Sequence, residues 1–284
     1  MQPLPSPSST PDLGPLIESL WGRRVAVLTG AGVSTESGIP DYRGPETRRR
    51  ARNPIQGRTF RADPGTRTRY WARSFVGWPR MQQARPNPAH HALARLQEAG
   101  RVTGLITQNV DGLHEAAGVG PVEALHGRMS EVVCLECGAI SQRADLQDRI
   151  AAANPGFLDP SGAPMAPDGD ADLVEAAIAG FRVPACVRCG GVLKPHVVFF
   201  GEGVPRDRVD RSFTAVDAAE VLLVVGSSLA VFSGFRFARH AARRGQPVVI
   251  LNLGPTRADP LATLCVEARA GEVLPAVVDA LLTS

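Results

Sequence analysis

Lysine is almost missing from this chain. Lys194 is the only one in 284 residues, so arginine carries nearly all of the positive charge. We read that as the codon bias of a GC-rich genome and not as a functional signal. Long apolar runs are missing as well: none approaches the roughly 20 residues needed to cross a bilayer. The first twenty residues are rich in Pro and Ser and contain Asp12 and Glu18. They lack both the apolar centre of a secretory signal and the basic, acid-free pattern of a transit peptide. The third absence is a large charge imbalance. At a net +3 the chain offers little to nucleic acid or to an anionic membrane, although arginine is dense between residues 43 and 73. These absences lead us to expect a soluble, cytoplasmic, monomeric protein. With 44% apolar and 21% charged residues it can bury a full core, as one large domain or one large and one small.

Cysteine is scarce but not scattered. Four of the five form two knuckles, Cys134-Leu-Glu-Cys137-Gly and Cys186-Val-Arg-Cys189-Gly, and Cys265 stands alone. Two such CxxCG turns suit a tetrahedral Zn²⁺, because each aims two thiolates and the neighbouring N–H groups at one point. The competing reading, a pair of disulfides, is disfavoured in a cytosolic chain. Four thiolate ligands close the site, which makes the zinc structural. Cys265 reads as a small packed hydrophobe.

Away from the knuckles the pattern alternates strands with helices. RVAVLTG, VTGLIT, VLLVVG and PVVILN read as buried parallel strands, and HHALARLQEAG, RSFTAVDAAE and GFRFARHAARRG as the helices that precede three of them. Gly100 and Gly245 suit left-handed C-caps. Between the knuckles come a helix over 144–154, a Pro/Gly/Asp stretch and a second helical run at 173–180. The expected fold class is α/β, a Rossmann-like doubly wound parallel sheet with a small inserted zinc-binding domain and a helical insertion. The expected boundaries are a flexible segment 1–19, a large nucleotide-binding domain 20–130 and 191–284 with the helical insertion at 44–87, and the zinc domain at 131–190.

The four strand-like runs end in Gly30, Asn109, Gly226 and Asn252 or just before them. In an open parallel sheet those ends converge on one crevice and one nucleotide-like ligand. The turn Thr29-Gly30-Ala31-Gly32-Val33-Ser34 suits backbone N–H groups facing a pyrophosphate, where a Cβ would obstruct. It does not complete GxGxxG, because Thr35 stands at the third glycine and no acidic ribose ligand ends the next strand. That disfavours an ordinary dehydrogenase and leaves nucleotide binding in another pose.

Longer strings are more specific. GAGVSTESGIPDYRG (30–44), TQNVDGLHEAAG (107–118), LHG (125–127), the paired knuckles, LKPHVVFFGE (193–202), GSSL (226–229) and LN (251–252) share the order and spacing of the sirtuins from about residue 20 onward. The chain resembles that family of NAD⁺-dependent protein lysine deacylases, nearest to its class II branch. The resemblance implies that an acyl-lysine oxygen attacks the nicotinamide ribose, nicotinamide leaves, and a histidine base then deprotonates a ribose hydroxyl. That base is His126, whose ordinary pKa of about 6.5 suits the task. By the same resemblance Gln108, Asn109 and Asp111 orient the nicotinamide and its ribose. Gly30, Ala31, Gly32 and Ser34 match the phosphate cradle, and Asp41, Tyr42 and Arg43 the cofactor loop. Gly226, Ser227, Ser228, Asn252, Leu253, Gly254 and Ala270 match the adenosine side. Val198, Phe199, Gly201 and Glu202 match the strand along which the substrate peptide pairs by β-augmentation.

The sequence departs from the family in three places. Ala124 precedes Leu-His-Gly where a Glu is usual, with Glu123 one place earlier; His196 replaces a common Asp; and Ala270 replaces a common Cys. Tyr70 and Arg73, at i and i+3 of a helix, resemble the Tyr-x-x-Arg pair that captures acyl carboxylates in the desuccinylating branch. The aromatic stripe Tyr70, Phe75, Trp78 reads equally as core. The expected products are nicotinamide, O-acyl-ADP-ribose and deacylated lysine. The alternatives are transfer of ADP-ribose to a protein, or NAD binding without catalysis.

Overall fold

The computed structural model describes residues 12–41, 55–157 and 178–283. Tyr42, Arg43 and most of the helical run expected at 173–180 lie outside the described residues. In chain order the helices are α1 (Gly14–Leu20), α2 (Gly57–Ala62), α3 (Pro64–Gln83), α4 (Pro88–Glu98), α5 (Leu113–Ala116), α6 (Arg143–Ala153), α7 (Arg206–Asp217), α8 (Phe232–Arg243) and α9 (Ala270–Leu282). The strands are β1 (Val25–Thr29), β2 (Val102–Thr107), β3 (Val122–Ala124), β4 (Gly127–Cys134), β5 (Ile140–Gln142), β6 (Leu193–Val197), β7 (Val221–Val225), β8 (Val248–Leu251) and β9 (Leu264–Val266). None of the described helices is long and apolar enough to cross a membrane.

Six strands form one sheet in the order β3-β2-β1-β7-β8-β9, and every pairing in it is parallel. Parallel strands covered on both faces need apolar side chains in both directions, and the sequence supplies them. Val25, Val27, Leu223, Val225, Val249 and Leu251 pack with Leu93 and Leu96 of α4 and Val273 and Val277 of α9. Their neighbours Ala26, Leu28, Leu222, Val224, Val248 and Ile250 pack the other way, with Val216 of α7 and Phe237 and Ala241 of α8. The doubly wound sheet expected from the strand runs is therefore present. Gly100 and Gly245 lie just past their helices with φ of +71° and +70°, as left-handed caps require.

Local chemistry fixes the helix starts. Asp63 accepts from the amides of Gly65 and Thr66 (3.1 and 2.8 Å) ahead of Pro64 at the first position of α3. Asn87 does the same for α4, accepting from Ala89 and His90 while the His90 ring accepts from the Asn87 amide. A side-chain acceptor satisfies donors that the first helical turn leaves open, and proline there loses no bond.

The second sheet is antiparallel, β5-β4-β6. It runs from Gly127 to Val197 and so takes in residues on both sides of 131–190. Its core is shared with the helical insertion: Phe60 of α2 and Tyr70, Trp71 and Val76 of α3 pack against Val132, Leu146, Ile150, Phe181 and Leu193. The Arg143 guanidinium lies between the rings of Trp71 and Trp78, 5.4 and 5.1 Å from their centres. The Trp71 indole N–H donates to the Leu193 carbonyl (3.2 Å). Cys265 departs from its expected packing. It sits on β9, the edge strand, where alternation turns its side chain outward, and it is exposed. Its thiol instead lies 3.8 Å from Asp259 Oδ1.

Candidate active site

In the large sheet β1, β2 and β3 run outward one way and β7, β8 and β9 the other, so the chain reverses direction across the sheet between β1 and β7. A crevice opens at the carboxyl ends of strands at such a point. Here the turn after β1 and the turn after β7 touch backbone to backbone. The Gly32 amide donates to the Gly226 carbonyl (2.8 Å) and the Gly30 amide to the Val225 carbonyl (3.1 Å). A Cβ on Gly226 would stand 2.3 Å from the Val33 nitrogen, and the residue has φ +59°. Only glycine permits both. The segment after β1 is not a long helix but two three-residue 3-10 turns, Ala31–Val33 and Thr35–Ser37, which accounts for the incomplete glycine fingerprint.

The crevice is a cavity of about 810 Å³, within the usual range for small-molecule sites. Its lining brings together Gly30, Ala31, Gly32, Ser34, Asp41, Gln108, Asn109, Asp111, His126, Gly226, Ser227, Ser228, Asn252, Leu253 and Gly254. Hydrogen bonds lock the polar side chains. Asn109 Nδ2 donates to the Gly30 carbonyl (3.1 Å) and to Ser34 Oγ (3.0 Å), and Ser34 in turn donates to Asp111 Oδ2 (2.8 Å). Gln108 Nε2 donates to Ser227 Oγ (2.7 Å), and Asn252 Nδ2 to the Gly254 carbonyl (2.8 Å). Burial pushes the Asp111 carboxyl above its ordinary value, against the opposing pull of the Leu113 amide and Ser34.

His126 occupies the step between the two sheets, with Leu125 as its only companion between the end of β3 and the start of β4. Its Nδ1 lies 2.9 Å from the Gln108 carbonyl oxygen. A carbonyl only accepts, so Nδ1 carries the proton and Nε2 keeps its lone pair. That lone pair faces Ser233 Oγ at 2.8 Å. Burial holds the ring pKa below 6.5. The Gln108 carbonyl opposes this, and Arg208 and Arg236 add to it. The next residue, Gly127, has φ +86°, and a Cβ there would meet the His196 carbonyl. The glycine of Leu-His-Gly is thus required by β6 passing beneath.

The segment after β6 forms another wall, with Val198, Phe199, Gly201 and Glu202 in the lining. Lys194, buried at 4% exposure, anchors it from below through a 2.9 Å ion pair with Glu202 Oε2 and by lying over the Phe199 ring. Glu202 also accepts from the Phe199 amide (2.9 Å), and the Val198 amide donates to the His126 carbonyl (2.8 Å). Three amides expected to pair with a peptide, those of Val198, Phe199 and Glu202, are therefore engaged within the chain, the last with the Phe199 carbonyl (3.0 Å). Among the described residues the amides of Gly201, Gly203 and Val204 make no such bond.

The four knuckle cysteines come together. Their sulfurs lie within 4.8 Å of one another, with Cys134–Cys189 at 3.5 Å and Cys137–Cys186 at 3.9 Å. A disulfide is about 2.05 Å long, whereas the sulfurs of a tetrahedron with metal–sulfur bonds of about 2.3 Å stand about 3.8 Å apart. The set fits zinc. It lies outside the cavity lining, which suits a structural role.

Some expected residues fall elsewhere. Tyr70 lines the cavity, but its ring packs edge-on against Phe60 and Phe199 and its hydroxyl faces the Met129 sulfur at 3.6 Å. Arg73 is half-buried and is not among the lining residues. Ala270 is buried at the start of α9, also outside the lining. Glu123 pairs with Arg211 of α7 (2.6 Å) and so ties β3 to that helix, away from the cavity. His196 pairs with Glu131 (2.6 Å), joining β6 to β4. Sequence reasoning missed Ser233 and Arg236, both in the lining. A serine in a first helical turn reads as ordinary capping chemistry, and nothing local marks it as a partner of His126.

The Sir2 family model matches residues 30–233. The chain is 52% identical over 270 residues to "NAD-dependent protein deacetylase 1" of Mycobacterium avium (strain 104), covering 94% of each. It is 50% identical over 275 residues to the protein of that name in Streptomyces coelicolor, covering 97% of this chain and 92% of that one. Among solved structures, a Sir2 complex with a p53 peptide and NAD⁺ is similar with a TM-score of 0.73 and 31% identity, over 94% of this chain and 98% of that one.

Proposed function

The chain belongs to the Sir2 family, and from that membership and the cleft we propose that it is an NAD-dependent protein lysine deacylase. The observation that carries this is a single cavity holding the Gly30–Gly32 turn, the Gln108–Asp111 segment, His126 with its Nδ1 held by the Gln108 carbonyl, and the wall at Val198–Gly203. NAD⁺ fits this donor set: turns too close-packed for a Cβ, locked amide side chains at the strand ends, and a volume of about 810 Å³. When bound it supplies a ribose carbon from which nicotinamide departs. Gly30, Ala31 and Gly32 would face its phosphates, Asn252 and Ser228 its adenosine side, and Asn109 and Asp111 its nicotinamide side.

The chain's residues do the rest. Val204, Gly203 and Gly201 offer amides to the substrate main chain, in the manner of an added strand. His126 takes a proton at Nε2, and the Gln108 carbonyl steadies the resulting charge through Nδ1–H. The relatives are named as deacetylases, which favours deacylation over transfer of ADP-ribose to protein. Ile39, Tyr70, Met129 and Val197 give the cavity an apolar wall, and Arg73 stays outside it. This supports acetyl-lysine as substrate ahead of acidic acyl groups. Cysteines gathered as a metal-ligand set and not joined as disulfides suit a reducing compartment such as the cytoplasm.

Incubation with NAD⁺ and acetyl-, succinyl- and glutaryl-lysine peptides tests the proposal. Equal amounts of nicotinamide and O-acyl-ADP-ribose are expected, most from the acetyl peptide. ADP-ribosylated protein without deacylation would establish the transferase reading, and absence of both products would leave NAD binding alone.

A further inference from the structure

His126 must exist in two protonation states, and its surroundings are prepared unequally for them. The Gln108 carbonyl serves Nδ1–H in both. At Nε2 the neutral ring needs a donor or an empty space, whereas the protonated ring needs an acceptor. The charged side chains that act on the ring are Arg208 on α7 and Arg236 on α8, both cations. Asp111, from the segment after β2, lines the same cavity but is drawn toward its neutral form by burial. An imidazolium formed here is opposed by burial and by two cations, so an Nε2–H left without an acceptor would be costly.

We propose that Ser233 is a positioning residue for His126, its hydroxyl donating to Nε2 of the resting ring and turning to accept from that nitrogen once it is protonated. Ser233 Oγ is 2.8 Å from Nε2, the residue is 8% exposed, and its place in the first turn of α8 fixes its backbone. A hydroxyl has one donor and two lone pairs, so a rotation about one bond changes its role. In the reaction the substrate hydroxyl points its hydrogen at Nε2 and Ser233 turns its own away. The substrate O–H bond breaks, the electron pair stays on oxygen, the proton binds Nε2, and the new N–H is shared with Ser233 Oγ.

A bond to a charged partner is roughly twice as strong as a neutral one, so losing the hydroxyl removes more from the protonated ring than from the neutral one. Titration of the His126 ring in the free enzyme by NMR should therefore show its pKa lowered by roughly one unit in Ser233→Ala and close to wild type in Ser233→Thr. Deacylation by Ser233→Ala should lose roughly tenfold in kcat, with KM for NAD⁺ and peptide within about twofold, and Ser233→Thr should recover most of it. A pKa that is unchanged or rises in Ser233→Ala, or a loss that threonine does not restore, overturns the proposal. The inference rests on the deacylase reading, but the titration does not need turnover. A wild-type enzyme without activity would defeat that reading and leave this one to be decided by the ring.

Discussion

The large sheet buries aliphatic side chains on both faces, Val25 and Leu223 toward one layer and Ala26 and Leu222 toward the other. The smaller core around Trp71 buries rings, a guanidinium and, at its margin, Cys134 and Cys186. The first is a repeated solution to one problem, with each residue added to a strand gaining the same kind of burial. The second is a set of individual partnerships: Arg143 between two indoles, Trp71 on the Leu193 carbonyl, four sulfurs around one point. Removing one partner there leaves the others without a substitute. His126 stands where the two cores meet, so the comparison also concerns the residue we propose as the base.

The largest expected difference between the cores comes from the sulfurs. Structural zinc contributes about 10 kcal/mol or more to small domains that depend on it. Replacing Cys134 and Cys186 together by Ser, or stripping the metal with a chelator, should raise hydrogen exchange throughout β4–β6 and α6 while β1 and β7 stay protected. Equal loss in both regions would show that the cores do not fold separately. Next in size is His126→Ala, which should lower kcat for deacylation by about 10²- to 10⁴-fold with both cores intact by the same exchange measurement.

Acid should separate the regions in the opposite direction. His90 and His114 lie buried under the large sheet, their rings 4.7 Å apart, and burial lowers their pKa values to about 4 and about 3. An unfolded chain would bind protons at both below pH 6.5 and the folded one would not. Their contribution is therefore complete above pH 6.5 and is lost as pH falls toward about 4 for His90 and about 3 for His114, by roughly 1.4 kcal/mol per pH unit for each. Denaturant melts between pH 7 and 5 should show this fall, and His90→Gln or His114→Gln should flatten it. The smallest effect is expected from Glu123→Gln. Its partner Arg211 is 58% exposed and keeps its bond to Asp207, so the melting temperature should move by no more than about 2 °C and turnover should be unchanged. A large loss of turnover would mean that Glu123 supports the Leu-His-Gly step despite its displaced position.

Legibility in the sequence divides along the same line. The strands of the large sheet were legible because burial on both faces leaves a run such as VLLVV unbroken, and Gly100 and Gly245 marked their helix ends. The paired knuckles were legible because ligand spacing is local. The short strands β3 and β9 were not, since three residues carry no period; reading Cys265 as buried was the result. The spacing of Tyr70 and Arg73 was visible, but whether their helix turns both toward the cavity depends on Phe60, Phe199 and Leu193, which pack against Tyr70 and Trp71 from other segments. The tautomer of His126 was hidden for the same reason. It depends on a carbonyl 18 residues away and a hydroxyl 107 residues away.

A protein that strips acyl groups from lysines has one lysine of its own, Lys194, with its ammonium sealed beneath the Phe199 ring and matched by Glu202. Reactive acyl donors that mark the surfaces of other proteins find no exposed lysine amine to mark on this one. The eraser carries almost nothing that it would itself have to erase.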